Sequence, residues 1–149
     1  MGLQWCVDRA EDTCEVEQLS EFSLQIDSFI DATLNAIDNT LREIIFNIGD
    51  SVVHLTPVVT GRLRGNWQLT IGAPSNQSLI RYDKDGGVTL QDLQSKAALF
   101  TAGEVAYIVN NLMYSEYIEK FGRKSRYMVF LTEARFETII AEAIRNNHI

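Results

Sequence analysis

Between residues 22 and 53 apolar side chains return at steps of three and four: Phe22, Ile26, Phe29, Ile30, Leu34, Ile37, Leu41, Ile44, Ile45, Ile48 and Val52. That spacing puts them on one stripe of an α-helix of about eight turns, with Asp27, Asp31, Asp38 and Glu43 on other faces. At ~1.5 Å per residue the helix is about 45–50 Å long. A chain of 149 residues holds a single core. Its remainder is too small to cover the whole stripe, so part of the stripe is expected to pack on a neighbouring subunit. A coiled-coil pairing or a break near Gly49 would also fit.

The residues on either side are patterned differently. Residues 1–20 lack a sustained period and read as an acidic N-terminal arm or a short helix, leaving 21–149 as the single domain. From His54 to Gly65 the chain reads as a loop, opened by Thr56-Pro57 and turned at Thr60-Gly61. Asn66–Ile71 alternates, with Trp67, Leu69 and Ile71 on one side, and predicts a strand; Ser78–Tyr82 predicts a second and Glu104–Asn110 a third. Leu90–Phe100 and Tyr114–Phe121 have helical spacing, Gly122–Arg126 is a basic loop, and Met128–Asn146 predicts one terminal helix. The fold class expected is α+β, with the long N-terminal helix and the C-terminal helix packed on a small, mostly antiparallel sheet.

Charge is split along the chain. Residues 1–50 carry eleven acidic and two basic side chains (−9), and residues 51–149 carry nine acidic and eleven basic (+2). The acidic front argues against wrapping DNA. It suits contact between copies, an acidic surface of one facing basic loops of the next, although a solvated helix face would give the same composition. No apolar run approaches the roughly 18–20 residues that cross a membrane. Met1–Asp12 has neither a basic nor an apolar signal region, so no secretory signal is expected. Cys6 and Cys14 lack further cysteines or a nearby histidine to complete a zinc site and read as free thiols.

Catalysis finds little support in the residues. His54 and His148 have no spacing that pairs them, and no nucleophile elbow, phosphate loop or zinc motif is present, so the expectation is a protein that is not an enzyme and has no cofactor or metal. Asp83-Lys84-Asp85-Gly86-Gly87 is a tight turn rather than a calcium loop, because Arg81 stands where the first ligand would be. Two basic clusters, Arg62-Leu63-Arg64 and Lys120 to Arg126, could touch phosphates or form salt bridges with acidic surfaces.

Three segments in order are more specific. They are Thr56-Pro57-Val58-Val59-Thr60-Gly61-Arg62-Leu63-Arg64, Tyr114-Ser115-Glu116-Tyr117-Ile118-Glu119-Lys120-Phe121-Gly122 and Phe130-Leu131-Thr132-Glu133-Ala134. Together they resemble the neck and minor-tail-component family of tailed bacteriophages, often described as tail-completion or head–tail connector proteins, over about residues 25–145. Two departures stand out: Val59 replaces the usual acidic residue before Thr-Gly, and Phe121 is inserted before Gly122.

The resemblance implies a structural virion protein made in the bacterial host cytoplasm and placed at the head–tail junction. It would form a homo-oligomeric ring, a hexamer or dodecamer, between a portal, adaptor or head-closure protein and a tail terminator or tail tube protein. DNA would pass through its lumen, with no membrane partner. The assembly residues it singles out are Pro57, Thr60, Gly61, Arg62, Arg64, Trp67, Tyr114, Tyr117, Glu119, Arg123, Lys124 and Arg126. Arg62 and Arg64 would reach carboxylates of a neighbouring copy, and Tyr114 and Tyr117 would seat the short helix while Glu116 and Glu119 stay outward. The rival reading is a small nucleic-acid-binding regulator using the basic loops 62–64 and 120–126.

Overall fold

The first helix, α1 (Glu11–Leu55), runs unbroken through Gly49. The computed structural model describes residues 11–121 and 127–148, the first eight as backbone alone. Cys6 and the basic residues Arg123, Lys124 and Arg126 lie outside that range. Contacts divide the chain into two units, residues 1–36 and residues 37–149. Half of the segment read as an arm is therefore helical: α1 starts eleven residues ahead of its apolar stripe. The stretch Glu11–Ser20 holds Glu, Gln and Leu, good helix formers that need no apolar face to be helical.

In the unit that starts at Ile37, α1 is followed by α2 (Arg62–Gly65), β1 (Trp67–Ile71), α3 (Gly87–Ala97), β2 (Ala106–Asn110), α4 (Ser115–Lys120), α5 (Met128–Ala134) and α6 (Phe136–Asn146). This is an α+β fold. β1 and β2 pair antiparallel, from Trp67 opposite Asn110 to Ile71 opposite Ala106. Val52 and Val53 of α1, Trp67 and Leu69 of β1, Leu93 of α3 and Met128 of α5 form the centre of the core. Gly49 permits this packing: a Cβ there would lie 2.9 Å from Leu93 Cδ1. A glycine that looks like a helix break is instead a place where α3 comes close to α1.

Polar contacts fix the rest of this unit to α1. Asp38 Oδ1 accepts the Ala102 amide at 2.8 Å and Arg42 Nε donates to the Phe100 carbonyl at 2.7 Å, which anchors the loop ahead of β2. The Glu43 carboxylate accepts from the side-chain amides of Asn146 and Asn147 at 2.6 and 2.7 Å, holding the end of α6.

Three local expectations are corrected. Arg62–Gly65, read as loop, is a single helical turn that starts from Gly61. Ser78–Tyr82 is not a strand. Gln68 Nε2 donates to the Gln77 carbonyl, Leu79 N–H donates to Asn66 Oδ1, and Arg81 Nε and Nη2 donate to the Gly65 and Trp67 carbonyls. Side chains tie this segment to β1, and no main-chain ladder forms between them. The terminal helix is two helices, with Arg135 at φ −94°, ψ 0° between them. No glycine or proline marks that break; Arg135 Nη1 reaches Ser51 Oγ of α1 at 3.4 Å, beside a 2.9 Å Ser51–Thr132 hydroxyl pair.

Gly61 has φ +84°, and a Cβ on it would fall 2.6 Å from both the Asp83 carbonyl carbon and the Lys84 nitrogen. Both are main-chain atoms that cannot move aside, and a left-handed non-glycine residue itself costs about 1–2 kcal/mol. Gly61→Ala is therefore expected to lower the unfolding free energy by about 3 kcal/mol or more, measured as a shift in the urea midpoint. An unchanged midpoint would show that the turn is not tightly held.

Candidate functional site

The segment that carries the most specific part of the sequence pattern is the turn joining α1 to β1. Thr56, 2 % exposed, closes α1. Its hydroxyl donates to the Val52 carbonyl at 2.6 Å, accepts the Trp67 indole N–H at 2.7 Å, and lies 3.1 Å from Met128 Sδ. Val58, Val59 and Thr60 form the exposed tip, and Thr60 Oγ1 accepts the Arg62 amide at 3.3 Å. Gly61 then turns the chain, with its carbonyl accepting the amides of Gly65 and Asp83. Asn66, fully buried, donates to the Arg62 carbonyl and completes the turn.

The two arginines of the turn have different fates. Arg64 Nη1 donates to the Lys84 carbonyl at 2.6 Å and Nη2 to the Thr56 carbonyl at 3.0 Å. It braces the turn from within rather than reaching out to a neighbour. Arg62 makes no side-chain hydrogen bond or ion pair among the described residues; its Nε, like that of Arg64, is shut away from solvent without an acceptor. Trp67, expected among the assembly residues, belongs to the core at 4 % exposure.

At α4 and the residue ahead of it, Glu116 is outward as expected, but the other roles differ. Tyr114 and Tyr117 are exposed, and Ile118 is the side chain that packs against the core. Glu119 is not an idle outward charge: its carboxylate accepts the amides of Val129 and Phe130 at 3.1 Å, satisfying the start of α5. Glu116 pairs with Lys120 one turn on, at 3.2 Å. Of the residues singled out by the sequence pattern, Pro57, Thr60, Gly61, Arg62 and Tyr114 converge. They surround a recess of about 170 Å³ that Val59, Leu63 and Ile118 complete.

The residue that sequence reasoning missed is Asp83, read only as part of a tight turn. Its carboxylate is buried and accepts the amide of Gly86 at 3.0 Å and both the amide and the hydroxyl of Thr89 at 2.8 Å. It thereby fastens the start of α3 to the segment that lies against Gly61. Burial alone would raise its pKa, but the donors from Thr89 and Gly86, with the Arg81 charge nearby, hold it below the ordinary 3.8. An Asp four residues before the helix and a Thr near its start are the kind of signal that could have revealed it.

A second surface stands out in the unit that ends at Ala36. Leu19, Phe22, Leu24, Ile26, Phe29, Ile30 and Leu34 of α1 are all more than two-fifths exposed, Phe29 reaching 71 %. No helix is long and apolar enough to cross a membrane, and no group of three or more metal-ligating side chains is gathered, both among the described residues. Neither a family model, nor a curated protein, nor a solved structure matches the chain.

Because Asp83 titrates below its unfolded value, it contributes stability that is complete above about pH 4 and is lost as pH falls through its folded value. Asp83→Asn is expected to lower the unfolding free energy near pH 7 by about 1.5–3 kcal/mol, the range for a hydrogen bond to a charged group. The gap between wild type and variant should then narrow as the pH is taken below 4. A gap that stays constant from pH 7 to pH 2.5 in urea titrations would rule out this role for the carboxylate.

Proposed function

We propose that the chain is a structural subunit of the neck of a tailed bacteriophage, forming a ring that joins the head side to the tail and lines the channel for DNA. The observation that carries this reading is the exposed apolar run from Leu19 to Leu34. A large contiguous apolar surface on a soluble protein marks a contact with another molecule, and a helix bare on its apolar face is stable once a partner covers it. The ordered resemblance over residues 56–64, 114–122 and 130–134 supplies the kind of assembly. The turn at Gly61 and the capping of α5 by Glu119 supply what such a subunit needs, a rigid body that presents the same surface in every copy.

In this reading the chain performs no catalysis and holds no cofactor. Its work is mechanical: neighbouring copies bind head to tail, and the closed ring offers one face to the portal side and the other to the tail. The acidic front of the chain, if it lines the lumen, repels DNA phosphates and leaves the strand free to slide. The rival reading, a nucleic-acid-binding regulator, is weakened by Arg64, whose guanidinium is held by two main-chain carbonyls.

Sedimentation analysis and negative-stain images of the purified protein test the proposal. The expected result is a defined ring with a central channel, or a monomer that enters rings when head–tail partners are added. In either case, duplex DNA is bound weakly at physiological salt. Replacing Phe22 and Phe29 by Ser is expected to shift the protein towards the monomer. A stable monomer that binds duplex DNA tightly, with a steep dependence on salt, would overturn the reading.

A further inference from the structure

The recess beside the Gly61 turn has an apolar rim and one unpaired cation. Val59 is 87 % exposed and Tyr114 43 %. Arg62 stands in the wall of the recess. Its Nε has lost water and gained no acceptor, and its side chain has no partner among the described residues. A buried donor left this way costs about 1–3 kcal/mol, and an incoming carboxylate would satisfy the guanidinium with charge-assisted bonds. What fits is therefore an apolar ridge flanked by a carboxylate.

The first part of α1 is such a ridge. Ile26, Ile30 and Leu34 follow one another at every fourth position along one face and are exposed. At about 100° per residue, Asp27 and Asp31, one turn apart, fall along one flank of that row. Resting on the assembly reading above, we propose that the acidic first part of α1 from a second copy docks at the Arg62 recess. Ile30 and Leu34 cover Val59 and Tyr114, and a carboxylate from Asp27 or Asp31 meets the Arg62 guanidinium.

The argument for a second copy, rather than another acidic helix, is charge complementarity within the chain. Residues 1–50 carry −9 and residues 51–149 carry +2, so each copy has the acidic element in its front and the unpaired arginine in its rear. The two surfaces differ, so the contact is heterologous and repeats from copy to copy.

Charge exchange in the full chain tests this by light-scattering mass across a concentration series. Arg62→Glu alone, and Asp27→Arg with Asp31→Arg, are each expected to weaken self-association at least tenfold. A chain carrying all three changes, or an equimolar mixture of the two variants, should recover it. Arg145→Glu, an exposed charge on α6, should leave the mass as in wild type. Far-UV circular dichroism checks that Arg62→Glu folds; should it not, the Asp27 and Asp31 substitutions, outside the compact unit, and Arg62→Gln carry the test. The proposal is overturned if either charge reversal leaves the mass of the assembly unchanged or if the combination fails to recover it. It is overturned as well if the wild-type chain stays monomeric at every concentration. The last outcome spares the neck reading, which fails on tight duplex DNA binding instead.

Discussion

The hydroxyl of Thr56 is the point on which the compact unit turns. A hydroxyl has one hydrogen and two lone pairs. Here the hydrogen goes back to the Val52 carbonyl, and a lone pair takes the Trp67 indole across the turn. Met128, which opens α5, lies against the same oxygen. The end of α1, the start of β1 and the start of α5 thus meet at one atom that is closed to water. The carbonyl of the same residue receives Arg64. A valine in place of Thr56 would keep the shape and leave the indole N–H buried without an acceptor, a loss of about 1–3 kcal/mol.

Around that point the structure relies less on its sheet than on side chains that grip main chain. Two strands alone are marginal in water. β1 is supported by Asn66, Gln68 and Arg81, each joining it to the segment that follows. Arg81 also reaches Asp92 of α3, which Lys96 shares, so one guanidinium links the carbonyls of Gly65 and Trp67 to a helix. Asp83 does the same for the start of α3 from the acceptor side. These interactions are neutral or internally compensated. That leaves Arg62 as the charge in the turn that the fold itself does not use.

What the sequence reveals follows from which forces are periodic. The stripe from Phe22 to Val52 is a repeating apolar pattern, and α1 follows it. The start of α1 at Glu11 has no stripe to announce it, only residues suited to a helix. Ser78–Tyr82 has the composition of a strand, but side chains distant in sequence bind the main-chain groups that a ladder would use. The break at Arg135 depends on Ser51, more than eighty residues earlier, and no local rule finds it. Gly61 was legible as a turn because glycine is the residue that tolerates its φ. The difference between Arg62 and Arg64 was not legible, since both are arginines and only the Thr56 and Lys84 carbonyls separate their roles.

The turn between α1 and β1 also divides its residues by what each is free to become. Thr56, Gly61 and Arg64 are fixed by atoms inside the unit. Val59, at the tip, touches almost nothing of its own chain. A lineage can rewrite position 59 without disturbing the frame that displays it. Under the proposed assembly, partner choice could then drift or be re-engineered by changing the tip alone, and the scaffold would carry old and new specificities equally well.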